Sequence, residues 1–243
     1  MAIPFSALAY TASSYHVLQF NAGSSRRTTV TGDWSPGNNK AECGVGETLT
    51  GVDQYWWLWS FNRCCNDGEA VEALCRTDTS QAFTHTATSC RNVSFATADN
   101  RSGFAWDWDV GATKGECAAD EYVAGVSQSA PANLFVPSQI QSILCCKGGV
   151  DYAWPDHQAA DGCVATTTRQ SPTSSGAWDP LTGYVAQLEC GDGYYMAGLS
   201  HDAIGQRWPG MPHALLCCPM PEPVVDQDPC IRYPHLPQCL GQP

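Results

Sequence analysis

The sequence predicts an all-β protein: three pseudo-repeated, disulfide-stapled antiparallel β units forming one domain, with little helix. Three observations carry this. The 243 residues include 14 cysteines, 22 glycines and 16 prolines, a composition in which bridges supplement a loop-rich core. No segment sustains the 3.6-residue apolar period of a helix. The chain also repeats itself three times, and each copy places a short run of β-branched and aromatic residues, bounded by Gly or Asp, at the same position.

The copies align on Glu42-Cys43, Glu116-Cys117 and Glu189-Cys190. Downstream of each, a small residue precedes a glycine at one shared offset: Thr50-Gly51, Ala124-Gly125 and Ala197-Gly198. Upstream stand Trp34, Trp108 and Trp178. The first two copies share Trp-x-x-Gly-x-x-Lys-x-Glu-Cys letter for letter, and the third is about three residues longer there. The runs beginning at Glu47, Glu121 and Tyr194 read as strands, and the glycine inside each marks a bulge or a close backbone approach. Leu-Cys-Cys at Leu144 and at Leu216 reads as a second strand, bridged to the first. A unit of about 70 residues is too small to bury its own core, so the three are expected to pack together. The divisions are 1–71, 72–150 and 151–220. A proline-rich tail, 221–243, follows and is pinned by Cys230 and Cys239.

Adjacent cysteines rarely bridge each other, because the eight-membered ring strains the peptide. Each vicinal pair, Cys64-Cys65, Cys145-Cys146 and Cys217-Cys218, is therefore expected to reach two partners. Cys90 precedes Cys117 by 27 residues and Cys163 precedes Cys190 by the same 27, while that offset from Cys43 falls on His16. One consistent scheme gives Cys145 and Cys146 to Cys117 and Cys90, and Cys217 and Cys218 to Cys190 and Cys163, with the choice within each pair open. In the first copy Cys43 takes one of Cys64 and Cys65, the other goes to Cys75, and Cys230 joins Cys239. Zinc is the competing reading of clustered cysteines, but no Cys-x-x-Cys spacing occurs.

Charge narrows the function. With 24 acidic against 12 basic residues, a net −12, the chain would repel nucleic acid and anionic lipid. No apolar stretch is long enough to span a bilayer. Met1 to Tyr10 lacks the basic start and apolar run of a signal peptide. Cysteine usage points to a secreted, extracellular protein.

Between the strand and the vicinal cysteines the copies diverge, and a fixed frame with variable segments is how binding proteins place recognition groups. Tyr55, Trp56, Trp57, Trp59 and Trp208 are the candidate ligand-binding residues, since aromatic rings stack on sugar C–H faces while their polar edges hydrogen-bond. Core packing is the competing reading for each of them, and it is the favoured one for Trp34, Trp108 and Trp178, which recur in every copy. Asp107 and Asp109, with Asp99, Asn100 and the stretch Cys65 to Glu69, offer hard oxygen ligands beside glycine turns and are weighed for calcium against plain solvated turns; no other cofactor is indicated. The six histidines lack metal-ligand spacing. Ser200-His201-Asp202 has the letters of a triad, but consecutive residues cannot converge on one reaction centre. Asn92 and Asn100 begin glycosylation sequons.

The run from Cys190 through Ala197-Gly198 to Cys217-Cys218 resembles the repeat of the dermatopontin family: acidic, disulfide-looped, Tyr- and Trp-rich extracellular matrix proteins that act in adhesion, with some invertebrate relatives agglutinating cells as lectins. The family's Asp-Arg-x-Trp before the closing cysteine is missing, Gln206-Arg207-Trp208 being the nearest remnant, so no functional residue carries over. The Trp-to-Cys motif is also similar to cysteine-rich repeats of secreted bacterial proteins. The expected function is a non-catalytic lectin-like or adhesive protein whose aromatic segments bind carbohydrate or a matrix polymer. Two alternatives stay open. One is a secreted hydrolase using paired carboxylates such as Asp107 with Asp109 or Asp53 with Asp67; the other is an assembly subunit whose aromatics meet a second copy in a homo-oligomer.

Overall fold

The computed structural model describes residues 14–20, 25–26, 32–55, 69–78, 81–101, 106–129, 139–167, 185–202 and 211–224. The strands are β1 (Tyr15–Gln19), β2 (Ser25–Arg26), β3 (Asn38–Glu42), β4 (Glu47–Tyr55), β5 (Glu69–Thr77), β6 (Cys90–Ser94), β7 (Thr113–Glu116), β8 (Glu121–Ser129), β9 (Ile140–Lys147), β10 (Tyr152–Ala153), β11 (Val164–Thr167), β12 (Val185–Glu189), β13 (Tyr194–His201), β14 (Pro212–Pro219) and β15 (Glu222–Pro223). Among the described residues the only helical element is a 3-10 turn at Ala159–Asp161. The protein is all-β.

Three sheets are built around three long hairpins, β4–β5, β8–β9 and β13–β14, in the orders β1-β5-β4-β12, β2-β3-β8-β9-β6 and β11-β14-β13-β7; β10 and β15 pair separately. Among the described residues all ladders are antiparallel except the short β2–β3 pair. The strand that leads into each Glu-Cys does not join its own hairpin. β3 of the first unit lies on β8 of the second, β7 of the second on β13 of the third, and β12 of the third returns to β4 of the first. Each unit thus lends a strand to the next, and the third closes the ring on the first. This exchange is how units too small for a private core obtain one, and it covers a hairpin edge that would otherwise present unpaired backbone groups.

The recurring glycines make the exchange possible. The ladder slips between Leu49 and Gly51, Val123 and Gly125, and Met196 and Gly198, so one bulge recurs in all three hairpins. A Cβ on Gly125 would stand 2.9 Å from the Ala41 carbonyl of the incoming β3 and 3.1 Å from the Trp34 ring; on Gly198 it would stand 2.9 Å from the Gly115 carbonyl of β7 and 3.3 Å from Trp108. The lent strand and its tryptophan sit where a side chain would have been.

One buried cluster, shared by all three sheets, holds Leu49, Val123 and Met196 with the bridges Cys43–Cys75, Cys117–Cys145 and Cys190–Cys217. A second cluster covers the opposite face of the second and third hairpins: Tyr122, Tyr195, Phe83, Trp108, Cys146 and Cys218. On that face Cys90–Cys146 and Cys163–Cys218 fasten β6 and β11 to their hairpins. Two buried histidines finish it. The His157 Nδ1–H donates to the Cys117 carbonyl (3.1 Å), which leaves Nε2 to accept from the Tyr195 hydroxyl (3.0 Å). His85 Nδ1 meets the Tyr122 hydroxyl at 2.8 Å. Burial pushes the His157 pKa down to about 4.

Two expectations about the first unit are corrected. Cys43 bonds to Cys75, not to Cys64 or Cys65, because Leu74-Cys75-Arg76 on β5 occupies the register of Leu-Cys-Cys on β9 and β14. The division after residue 71 consequently falls inside β5, and the first unit runs on to Thr77. Cys64, Cys65, Cys230, Cys239 and Trp178 lie outside the described residues, as does the tail from residue 225 onward.

Candidate functional site

The shared motif is spent on the frame. Trp34 Nε1 donates to Glu42 Oε2 and Trp108 Nε1 to Glu116 Oε2, both at 3.0 Å. Gly37 and Gly111 turn the chain at φ of +77 and +81, a conformation that favours glycine. Inside those turns Lys40 Nζ donates to the carbonyls of Ser35 (2.6 Å) and Asn38 (2.8 Å) and pairs with Asp33 (2.7 Å); Lys114 Nζ does the same to Asp109 (2.6 Å) and Ala112 (2.7 Å) and pairs with Asp107 (2.9 Å). Both lysines are buried, so each is matched to an acid and two carbonyls. The third copy replaces acid and lysine together, with Ala177 and Gln187 in their places. Glu116 lies in the same wall, and burial pushes its pKa up to about 7.

Beyond the frame lie the segments that join the two strands of each hairpin. Tyr55 ends β4, opposite Val185 and Glu69. Trp56, Trp57, Trp59 and Trp208, and Asp67 from the carboxylate pair, fall outside the described residues. The roots of two segments are tied: the Ser129 N–H donates to the Gln139 carbonyl and the Asp202 N–H to that of Met211. The strands therefore present these segments from fixed ends.

At those roots the lent strand's turn meets the hairpin, and two joints can be compared. Between the first and second units, Ser35 Oγ donates to Ser127 Oγ (2.9 Å), and the hydroxyls of Ser127 and Ser142 meet at 2.7 Å. Between the second and third, Asp109 replaces Ser35. Its Oδ2 accepts from the hydroxyl of buried Ser200 and from His213 Nδ1 at 2.8 Å. Asp107 faces Lys114 and, at 3.7 Å, Arg101, and the lysine's hydrogen bond holds its carboxyl below the usual carboxylate range. The two acids weighed for calcium and for acid–base work thus serve different partners. Asp53 accepts the Glu72 N–H at 2.7 Å. His201 is not a triad member: Nδ1 meets the Asp202 carbonyl (2.8 Å), Nε2 the Phe95 carbonyl (3.3 Å), and its ring stacks on Phe95.

A concave surface that sequence reading missed opens beside β10 and β15, about 390 Å³ in volume, with Trp154, Met220 and Pro219 in its wall and Asp156, Asp161 and Glu222 among its lining. Trp154 Nε1 is committed to the Gly149 carbonyl (3.1 Å), and its ring packs edge-on against Phe83 and Tyr195. The signal available was weak, since Trp154 has no counterpart at a shared motif position. Cys117, Glu121 and Cys145 also bring potential metal-ligand atoms within 4.8 Å of one another. The two cysteines are bonded to each other, and Glu121 accepts Arg91 (2.7 Å) and the Ala118 N–H (2.8 Å). With its sulfurs in a disulfide the group has no thiolate to offer. No helix of the described residues is long and apolar enough to cross a membrane.

No protein-family model matches the chain, and neither a curated protein nor a solved structure shows significant similarity to it.

Proposed function

We propose that the protein is a secreted, non-catalytic binding protein, lectin-like or adhesive, that engages carbohydrate or an extracellular matrix polymer through the segments joining its hairpin strands. One observation carries the reading: the recurring polar side chains of the motif are consumed inside a closed, disulfide-bonded frame, while sequence differences between copies concentrate in those joining segments. The first of them, Tyr55-Trp56-Trp57-Leu58-Trp59, offers stacking surface for sugar rings. The cleft at Trp154, with three carboxylates able to accept from sugar hydroxyls, is a second place for a glycan to seat. The bridges support the extracellular setting.

The reading is tested by titrating soluble glycans and matrix polysaccharides while following tryptophan fluorescence. Saturable binding to one class is expected, weakened at least tenfold in a variant carrying Trp56→Ala, Trp57→Ala and Trp59→Ala whose far-ultraviolet circular dichroism is unchanged, roughly the loss of a stacking platform. A broad panel without saturable binding overturns it.

A further inference from the structure

The two described joints between units differ at aligned positions. At six places the first carries neutral side chains: Ser35, Ser127, Gln128, Ser129, Gln141 and Ser142. The second carries Asp109, Ser200, His201, Asp202, His213 and Ala214 at the same places, so four of the six have become titratable. Their geometry responds to protons in one direction. The His213 Nδ1–H donates to Asp109 Oδ2 whatever the charge on the ring, and the contact becomes an ion pair once the ring is protonated. Asp109 is nearly buried, with 9% of its side chain exposed, while His213 keeps 44%, so the ring exchanges protons with solvent while its partner stays desolvated. Both ring nitrogens of His201 face carbonyl oxygens. A neutral imidazole has one N–H and satisfies one of them; an imidazolium satisfies both.

Other titratable groups lie at the described part of this joint, among them Glu116 on the lent strand β7, opposite Gly198, whose own proton uptake near pH 7 acts in the same direction. Asp202 lies close enough to His213, Asp109 and His201 to feel all three, and burial raises its pKa. Lys114 caps the Asp109 carbonyl and is paired with Asp107, with Asp99 and Arg101 beside it. β11, on the other side of β14, brings no titratable side chain. β4 and β12, which also pack on β14, carry Glu47, Asp53 and Glu189.

We propose that the joint between the second and third units is a proton-operated latch: protonation of His213 tightens the grip of the second unit's turn, through Asp109, on the third hairpin, while the serine joint between the first and second units, with Gln141 in place of that histidine, lacks this response. The latch sits at the root of the 203–210 segment and stands apart from any binding role of that segment.

Site-resolved hydrogen exchange on the intact, oxidised protein between pH 8 and pH 5.5, corrected for intrinsic exchange rates, tests it. The Ala214 amide, which donates to Ser200 Oγ at 2.9 Å, should gain roughly fivefold protection toward pH 5.5, the range over which an ordinary histidine takes up its proton. The Ser127 and Ser142 amides should change less than twofold. The double variant Asp109→Ser with His213→Gln, which copies the residues of the protein's own first joint, should keep the fold and lower the Ala214 response to that of Ser142. Single His213→Gln provides a milder variant if the double one fails to fold. A flat wild-type profile, an equal response at Ser127, or a response that His213→Gln leaves undiminished overturns the proposal; the part that Glu116 contributes is read from Glu116→Gln.

Discussion

The first unit holds its edge strand by different means from the second and third, and the contrast separates what the frame requires from what it tolerates. β6 and β11 are fastened by Cys90–Cys146 and Cys163–Cys218. At the same register β1 places Tyr15 opposite Arg76. The Tyr15 hydroxyl donates to Asp192 of the third unit at 3.1 Å, and the Arg76 guanidinium lies against the Met220 sulfur. A covalent staple within a unit has been exchanged for polar contacts that reach another unit. The core-facing bridge, by contrast, is present in all three. β6 can fray toward water because its Cys90 is only partly buried, whereas Cys43–Cys75 and Cys117–Cys145 are enclosed on every side and cannot be removed without leaving a void.

This contrast predicts unequal costs. Replacing Cys117 and Cys145 by alanine removes a cross-link and opens space in the shared core; thermal or denaturant unfolding should show a loss of about 4 kcal/mol, adding the chain-entropy and cavity contributions. The same change at Cys90 and Cys146 should cost about 2 kcal/mol, because β6 can fray, even though that bridge spans more sequence, 56 residues against 28. Equal losses would show that edge and core bridges are equivalent and would break the comparison.

The converse change runs in the first unit. Tyr15→Cys with Arg76→Cys should form a bridge under oxidising conditions and raise stability by about 1 to 2 kcal/mol, read as a higher melting temperature that reducing agent abolishes. Persistent free thiols by mass would show that β1 does not share the geometry of β6 and β11.

The smallest effect concerns chemistry the copies retain. Glu116 has its folded pKa raised to about 7 from 4.5, so the protonated form is favoured in the fold. Its contribution is complete below pH 4.5 and is lost as pH rises through 7. Glu116→Gln keeps an acceptor for Trp108 Nε1 and should gain about 1 kcal/mol relative to the parent at pH 8 but little at pH 4.5. A parallel offset at both pH values would mean that the burial of the carboxylate is not what its neighbours must offset.

Much of the frame was legible because repetition supplied internal controls. Trp34 and Trp108, the bulge glycines and Glu-Cys recur, so their structural meaning could be anticipated from one another. The first unit misled for the same reason: Cys64-Cys65 imitates the vicinal pairs, while the true counterpart, Leu74-Cys75-Arg76, keeps the Leu-Cys and loses the second cysteine. Strand exchange was not legible, since pairing of β3 with β8 rather than β4 depends on long-range geometry that local pattern does not encode. The Asp109–His213 contact joins residues about one hundred positions apart. Aligning Gln141 with His213 would have marked the substitution but not its partner. The aromatic segments stood out by composition alone, which indicates chemistry and not placement.

The most direct test of the closed three-unit frame is the disulfide map of the native protein, obtained by proteolysis without reduction and mass spectrometry of linked peptides. The account predicts Cys43 joined to Cys75, Cys117 to Cys145, Cys190 to Cys217, and the edge pairs Cys90–Cys146 and Cys163–Cys218. A peptide linking Cys43 to Cys64 or Cys65 would contradict it, because β5 would then no longer occupy the place that β9 and β14 hold in their own sheets.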